Sequence, residues 1–241
     1  MKQTLSRYKA LTFDCYGTMI DWESGIWDAL QPLIATNNRD DLTRQQGLQA
    51  FARIETAQEL ATPGMLYPEL LSHVHQSIAD HYAMDSSSQL NLAFGESVAH
   101  WPAFPDSADA LRKLKKHFKL VILSNVNRAG FAASNRKLGV AFDAIYTAED
   151  VGSYKPNAAN FDYLIEHMKT DFAIEPGEIL HTAQSLHHDH VPATLAGLDK
   201  AWIDRQDLAH SENWGATALV EDRPEVAFRF TSLMQMAQAL D

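Results

Sequence analysis

Five short apolar runs, at residues 11–13, 120–124, 144–147, 179–182 and 201–203, punctuate the 241-residue chain, with helical patterns between most of them. This alternation constrains the fold more than any other feature. Parallel strands need a long crossover between them, and a helix is the usual one. The pattern predicts an α/β class fold, a doubly wound parallel sheet. Reactive groups on such a sheet gather at the carboxyl ends of the strands. The first run brings Asp14 to that position, and Gly17-Thr18 then turn the chain away.

Residues 21–100 read differently. They carry helical periodicity, as in Ile26, Ala29, Leu30 and Leu33, and no convincing strand. Helices are expected at 22–35, 41–60, 67–82 and 88–98, with breaks at Pro63-Gly64 and Asp85-Ser86-Ser87-Ser88. Trp101-Pro102-Ala103-Phe104-Pro105 marks the return, stiffened because each proline fixes its own φ and restrains the residue before it. Asp106 or Ser107 is the expected N-cap of the next helix. The chain is thus expected to divide into a core of residues 1–20 and 101–241 and a helical domain of 21–100.

Composition narrows the partners. A net charge of −11 argues against nucleic acid, which calls for a basic face. An anionic small-molecule substrate remains compatible, provided a local cluster of donors and cations receives it. No run approaches the roughly 20 apolar residues of a membrane span, and residues 1–7 carry no apolar stretch of a signal peptide. Cys15 is the only cysteine, so no internal disulfide forms and a cytoplasmic location is expected. Beside Asp14 it reads as a small buried hydrophobe. A homodimer through an apolar helix is left open.

Four sites fall at or just past predicted strand ends: Asp14, Ser124-Asn125, Lys155 and Asp189. Their types suit one reaction. A carboxylate that attacks carbon has to be ionised and held, and a lysine does both. Ser124 offers hydrogen bonds to a second anion, and Asp189 orients Lys155 or activates water.

The segment Ala10-Leu11-Thr12-Phe13-Asp14-Cys15-Tyr16-Gly17-Thr18, with the other three sites in this order, resembles the haloacid dehalogenase (HAD) superfamily. The resemblance spans nearly the whole chain and implies a Rossmann-like core with an inserted all-helical cap. Most HAD phosphatases carry a second aspartate two residues after the nucleophile, where this chain has Tyr16. Their fourth motif usually reads Gly-Asp, where this chain has Ala183-Gln184. With fewer carboxylates, magnesium should bind poorly. The chain therefore looks closer to the L-2-haloacid dehalogenases, whose aspartate displaces halide from the α-carbon and whose aspartyl ester is opened by water.

That resemblance makes Asp14 the nucleophile, with Lys155, Asp189 and Ser124 as catalytic partners. Thr18, Tyr16 and Asn125 surround the substrate, and no metal or other cofactor is required. A cap arginine usually joins the halide site; Arg53 is the expected one, ahead of Arg44 in a polar run. Other positions depart from the family pattern. Gln184-Ser185-Leu186-His187-His188-Asp189 replaces Ser-x-Asn-x-x-Asp, and Phe161 replaces a tyrosine. His188, or its neighbour His187, is a candidate donor to halide or substrate carboxylate, against a helix-capping reading and a metal site that adjacent histidines seldom make. Trp22, Trp27, Trp101 and Phe104 flank the two hinge segments, either walling the site or packing the seam. Competing readings are a HAD hydrolase of another small metabolite, such as a phosphate ester, and a non-catalytic metabolite-binding protein.

Overall fold

The computed structural model describes residues 4–210, 216 and 220–240. Its sheet has six strands in the order β3-β2-β1-β4-β5-β6, every pair parallel. These are β1 (Ala10–Phe13), β2 (Lys119–Ser124), β3 (Ala144–Thr147), β4 (Ile179–Ala183), β5 (Asp199–Ile203) and β6 (Phe228–Phe230). The first five match the predicted runs. The sixth was not predicted: it is three residues long with Arg229 at its centre, so no apolar run announces it.

β1 is central, flanked by β2 and β4, and all four of its residues are buried. Strand side chains alternate between two apolar layers, as a period of two requires. Leu11, Phe13, Leu120 and Ile122 face one, and Ala10, Val121, Leu123 and Ile179 the other. The second layer is closed by Phe161, Leu164 and Met168 of the helix Ala158–Phe172. Strand order reverses beside β1, between β1 and β4. That is where an open α/β sheet leaves a crevice.

Four helices follow β1 before the chain returns: α1 (Trp22–Thr36), α2 (Arg44–Ala61), α3 (Tyr67–His81) and α4 (Ser88–Gly95). They form the helical cap. Asp21 caps α1 by accepting from Ser24 N, and Thr43 with Gln46 makes a capping box that starts α2 at Arg44 rather than at 41. The helix expected over 88–98 stops at Gly95 and continues as a 3-10 turn, Glu96–His100. A Cβ at Gly95 would lie 2.4 Å from the Pro68 carbonyl, so glycine lets α4 sit directly on α3.

The two hinge strands are tied together. Asp21 N donates to Pro102 O and Phe104 N to Met19 O. Gly25 lets α1 approach the exit strand: a Cβ there would lie 2.3 Å from the Trp101 ring. Helix α5 (Ser107–Leu114) then begins, but neither expected residue caps it with its side chain. The Asp106 carboxylate instead receives Arg205 and Met234 N, and the Ser107 hydroxyl donates to Met19 O. No helix among the described residues is long and apolar enough to cross a membrane.

Candidate active site

Asp14 leaves the end of β1 with its backbone N–H still on Thr182 O at 3.1 Å. Gly17 makes the turn that follows. Its φ of +90° is a conformation other residues avoid, and a Cβ there would reach 3.0 Å from Gln184 Oε1. The turn returns Thr18 to the carboxylate, where its hydroxyl donates to Asp14 Oδ2 at 2.8 Å and accepts from Gln184 N at 2.9 Å. The Arg205 guanidinium grips the Thr18 carbonyl from below, through Nε at 2.9 Å and Nη2 at 2.8 Å. Arg205 also covers the Phe104 ring, which places that aromatic on the seam rather than in the site.

Lys155 is the hub. Its buried ammonium donates to Asp14 Oδ1 at 3.0 Å, Asp189 Oδ1 at 2.7 Å and Leu123 O at 3.0 Å. An ammonium has three protons, and all three are engaged. Burial opposes its charge, but Asp14 and Asp189 outweigh burial and raise the lysine above its ordinary value. Burial alone would raise Asp189 too; Lys155 and the His181 hydrogen bond reverse that and hold the carboxyl well below the usual range. For Asp14 burial is the larger effect, and it leaves the carboxyl raised despite Lys155 and Thr18. His181 completes the chain, with Nε2 on Asp189 Oδ1 at 3.0 Å and Nδ1 on Thr12 Oγ1 at 2.9 Å.

Above Asp14 lies a cavity of about 90 Å³ between sheet and cap. Asp14, Tyr16, Asn125, Lys155, Gln184, His188 and Asp189 line the core side. The cap side brings Phe51, Glu55, Glu59 and Tyr67, with Trp22 and Trp101 at the hinge. Of the predicted residues, Asp14, Tyr16, Asn125, Lys155, His188 and Asp189 therefore converge, and Thr18 supports them. The Tyr16 hydroxyl is tied to Ser134 at 3.0 Å, its ring edge-on to Trp101.

Two expectations fail. Arg53 does not reach the site: it is exposed, absent from the lining that Ala52, Glu55, Thr56 and Glu59 supply from α2, and its charge acts on Tyr82. Ser124 is buried at the end of β2 but is not part of the lining. Among the described residues its hydroxyl makes one weak hydrogen bond, accepted from Val126 N at 3.5 Å, within the turn.

Asn125 plays another part than a free donor. Its Oδ1 accepts from Lys155 N at 2.7 Å, and its Nδ2 donates to Lys155 O and to Glu59 Oε1, each at 3.0 Å. One amide thus sets the lysine loop and ties the cap to the core. Burial, with help from His187, lowers His188 to about 4, so the imidazole is neutral near neutral pH. It sits on a single π-helical turn, Leu186–His190, its N–H capped by Ser185 Oγ at 3.0 Å.

Magnesium seeks oxygen ligands in octahedral sets. Asp14 gives one oxygen to Lys155 and the other to Thr18. Among the described residues no group of three or more His, Cys, Asp or Glu side chains is placed to hold an ion. The residues present do not fit a HAD-type magnesium site.

A family model described as haloacid dehalogenase-like hydrolase matches residues 8–182, across the nucleophile turn, the cap and the lysine loop. The chain belongs to that family. Among curated relatives, an (S)-2-haloacid dehalogenase of Pseudomonas putida is 25% identical over 221 residues, covering 86% of this chain and 89% of the relative. The (S)-2-haloacid dehalogenase 4A of Burkholderia cepacia is 26% identical over 177 residues, 71% of this chain and 72% of the relative. The L-2-haloacid dehalogenase structure from Xanthobacter autotrophicus superposes with a TM-score of 0.77 at 17% identity, covering 96% of this chain and 97% of that one. A magnesium-bound HAD hydrolase of Bacillus subtilis gives 0.75 at 21% identity, covering 97% and 99%. Dehalogenases and a magnesium-bound hydrolase thus share this fold, so the fold alone does not choose between them.

The haloacid dehalogenase-like core was legible from Asp14, Lys155 and Asp189, but the cap's acids were missed. Glu55 and Glu59 stand one helical turn apart in the stripe of α2 that carries Phe51, a face that should be apolar. Two carboxylates on that stripe were the available signal. Nothing in an apolar run announces the bond of His181 to Asp189.

Proposed function

We propose that the protein is a carbon–halogen hydrolase of the (S)-2-haloacid dehalogenase type, acting through Asp14. One observation carries this reading. The Asp14 carboxylate, 6% exposed, is held between Lys155 and Thr18 and opens on a small cavity, with Tyr16 two residues on in the place where HAD phosphatases carry their second aspartate. In the first step Asp14 attacks the carbon that bears the halogen. The C–O bond forms as the carbon–halogen bond breaks, and halide leaves with the electron pair. In the second step water adds to the Asp14 carbonyl. The ester opens to an alcohol, a 2-hydroxy acid when the substrate is a 2-haloalkanoic acid, and one proton is released as the carboxylate is restored.

The surroundings support both steps. Lys155 keeps the nucleophile's counter-charge fixed without competing as a base. Asp189 is too weakly basic for the first role that a buried carboxylate might fill, and it serves to orient Lys155. Its second oxygen, Oδ2, is buried without a partner, an acceptor for the water of the second step. The cap and its aromatic rings exclude bulk water, which strengthens every charge interaction at Asp14.

The test is chloride release from both enantiomers of 2-chloropropionate and from 3-chloropropylamine in excess chelator, beside hydrolysis of an aryl phosphate with magnesium. Chelator-resistant halide release that disappears in Asp14→Asn is the expected result. Magnesium-dependent phosphate release without halide release would overturn the reading.

A further inference from the structure

The two ends of the cavity offer opposite chemistry. On the core side the charged donor is fully engaged, since Lys155 serves Asp14, Asp189 and Leu123 O. Both protons of the Asn125 amide are likewise taken, by Glu59 and Lys155 O. Arg53 points elsewhere. The side-chain groups that remain for a ligand on this side are neutral, among them the side-chain amide of Gln184, 5% exposed, the Trp22 indole N–H and His188 Nε2, none with a hydrogen-bond partner among the described residues.

The cap side offers acceptors. Glu55 receives the Tyr67 hydroxyl, and Glu59 receives Asn125 on one oxygen. The other oxygen of Glu59, Oε2, has no hydrogen bond and stands 3.8 Å from His188 Nε2, itself buried without a partner. Phe51, Tyr67 and Trp22 share the lining with the two acids. A buried and a half-buried carboxylate with no cation bonded to them, in a lining that also holds aromatic side chains, are complementary to an ammonium group. A substrate carboxylate placed there would meet two further acids and no free cation.

We infer that Glu55 and Glu59 form a subsite for a cationic amine, so that the molecule turned over at Asp14 carries an ammonium group. The identity of the reacting end rests on the reading of Asp14 as nucleophile; the amine subsite does not. Gln184, on the core side, is the donor that receives the departing halide.

The titration of the pair gives the subsite a signature. Burial raises Glu55 to about 7, tempered by the Tyr67 hydrogen bond, and burial with the neighbouring Glu55 raises Glu59 well above its ordinary value. The other titratable groups that act on them are Tyr67, Tyr154, Lys155 and His188. Lys155 is charged throughout, and His188 stays neutral above about 5. A bound cation favours the ionised acids, so amine affinity rises with pH across the range in which Glu55 loses its proton, and binding releases protons.

The experiment uses unreactive probes of matched size, n-propylamine and propionate, titrated calorimetrically into the full-length protein at pH 6 and pH 8. Propylammonium is expected to bind at least tenfold more tightly than propionate at pH 8, to weaken at pH 6 and to release protons in buffers of different ionisation enthalpy. Glu59→Gln, which keeps the Asn125 hydrogen bond, and Glu55→Gln/Glu59→Gln should abolish that preference, with thermal melts confirming that the variants fold. Tighter binding of propionate, equal or undetectable binding of both, or an amine affinity untouched by the substitutions would overturn the subsite. Halide release lost in Asp14→Asn is read separately. If it persists in Asp14→Asn while the amine preference stands, the nucleophile reading fails and the subsite survives.

Discussion

The floor of the cavity buries two carboxylates and the roof carries a buried one, Glu59, beside the half-buried Glu55; the two pairs are partnered differently. On the floor, Asp14 and Asp189 share one lysine, and the pair plus cation is a closed hydrogen-bonded unit. On the roof, Glu55 and Glu59 have a tyrosine and an amide but no cation. Asp189 is consequently held low and Glu59 is pushed high, although both are buried. Burial and partner together set the charge state of an acid: at Asp189 Lys155 and His181 outweigh burial, while at Asp14 burial stays the larger effect. The floor supplies its acids with a fixed cation, and the roof leaves that to a ligand.

The largest expected effect is on the floor. Asp14→Asn should reduce halide release at least about 1,000-fold, since the covalent step loses its nucleophile. In the wild-type protein kcat/KM should fall toward acid as Asp14 is protonated. Because burial raises this carboxyl, that limb lies above the ordinary aspartate range, and a pH–rate profile checks it. Next, Lys155→Met should lower stability by about 3–5 kcal/mol, because it strands two buried carboxylates, and a denaturant titration measures it. If Lys155→Met proved no worse than Glu59→Gln, the contrast between floor and roof would collapse.

The roof should reveal itself through pH. A carboxyl raised on folding binds more protons in the native state than in the unfolded one. Its stabilisation is full below the unfolded value and is lost as pH rises through the folded value. Glu55, raised to about 7, should therefore cost stability between roughly pH 4.5 and 7, on the order of 1–3 kcal/mol. Glu55→Gln should flatten that slope in melts taken across the same range. The smallest effect is expected at Arg53→Ala. The side chain lies on the exposed face of α2, so turnover should change less than about twofold.

Much of this was readable from the chain, for physical reasons that differ by element. Strands buried on both faces, such as Leu120 to Ser124, print as continuous apolar runs, and the residues just past them mark the crevice. β6, short and edge-placed around Arg229, leaves no such print. Arg53 was misjudged because helical spacing decides which face a residue joins, not whether that face is the one turned toward the core. Asn125 was expected to touch substrate, yet its donors are used by Glu59 and the Lys155 carbonyl, a cross-domain bond that no local pattern contains. The roof acids were invisible for the same reason: a glutamate on an apolar stripe reads as a flaw until its neighbours are known.

The central claim is that Asp14 forms an ester, and heavy-oxygen water tests it most directly. The protein is taken through one turnover, and then through many, with whichever of 2-chloropropionate and 3-chloropropylamine releases halide faster. Mass spectra of the product and of the Asp14 peptide are then compared. An ester mechanism predicts unlabelled alcohol from the first turnover and heavy oxygen in the Asp14 carboxylate afterwards. Labelled alcohol from the first turnover with an unlabelled Asp14 peptide would mean that water attacks carbon directly, and would contradict the account.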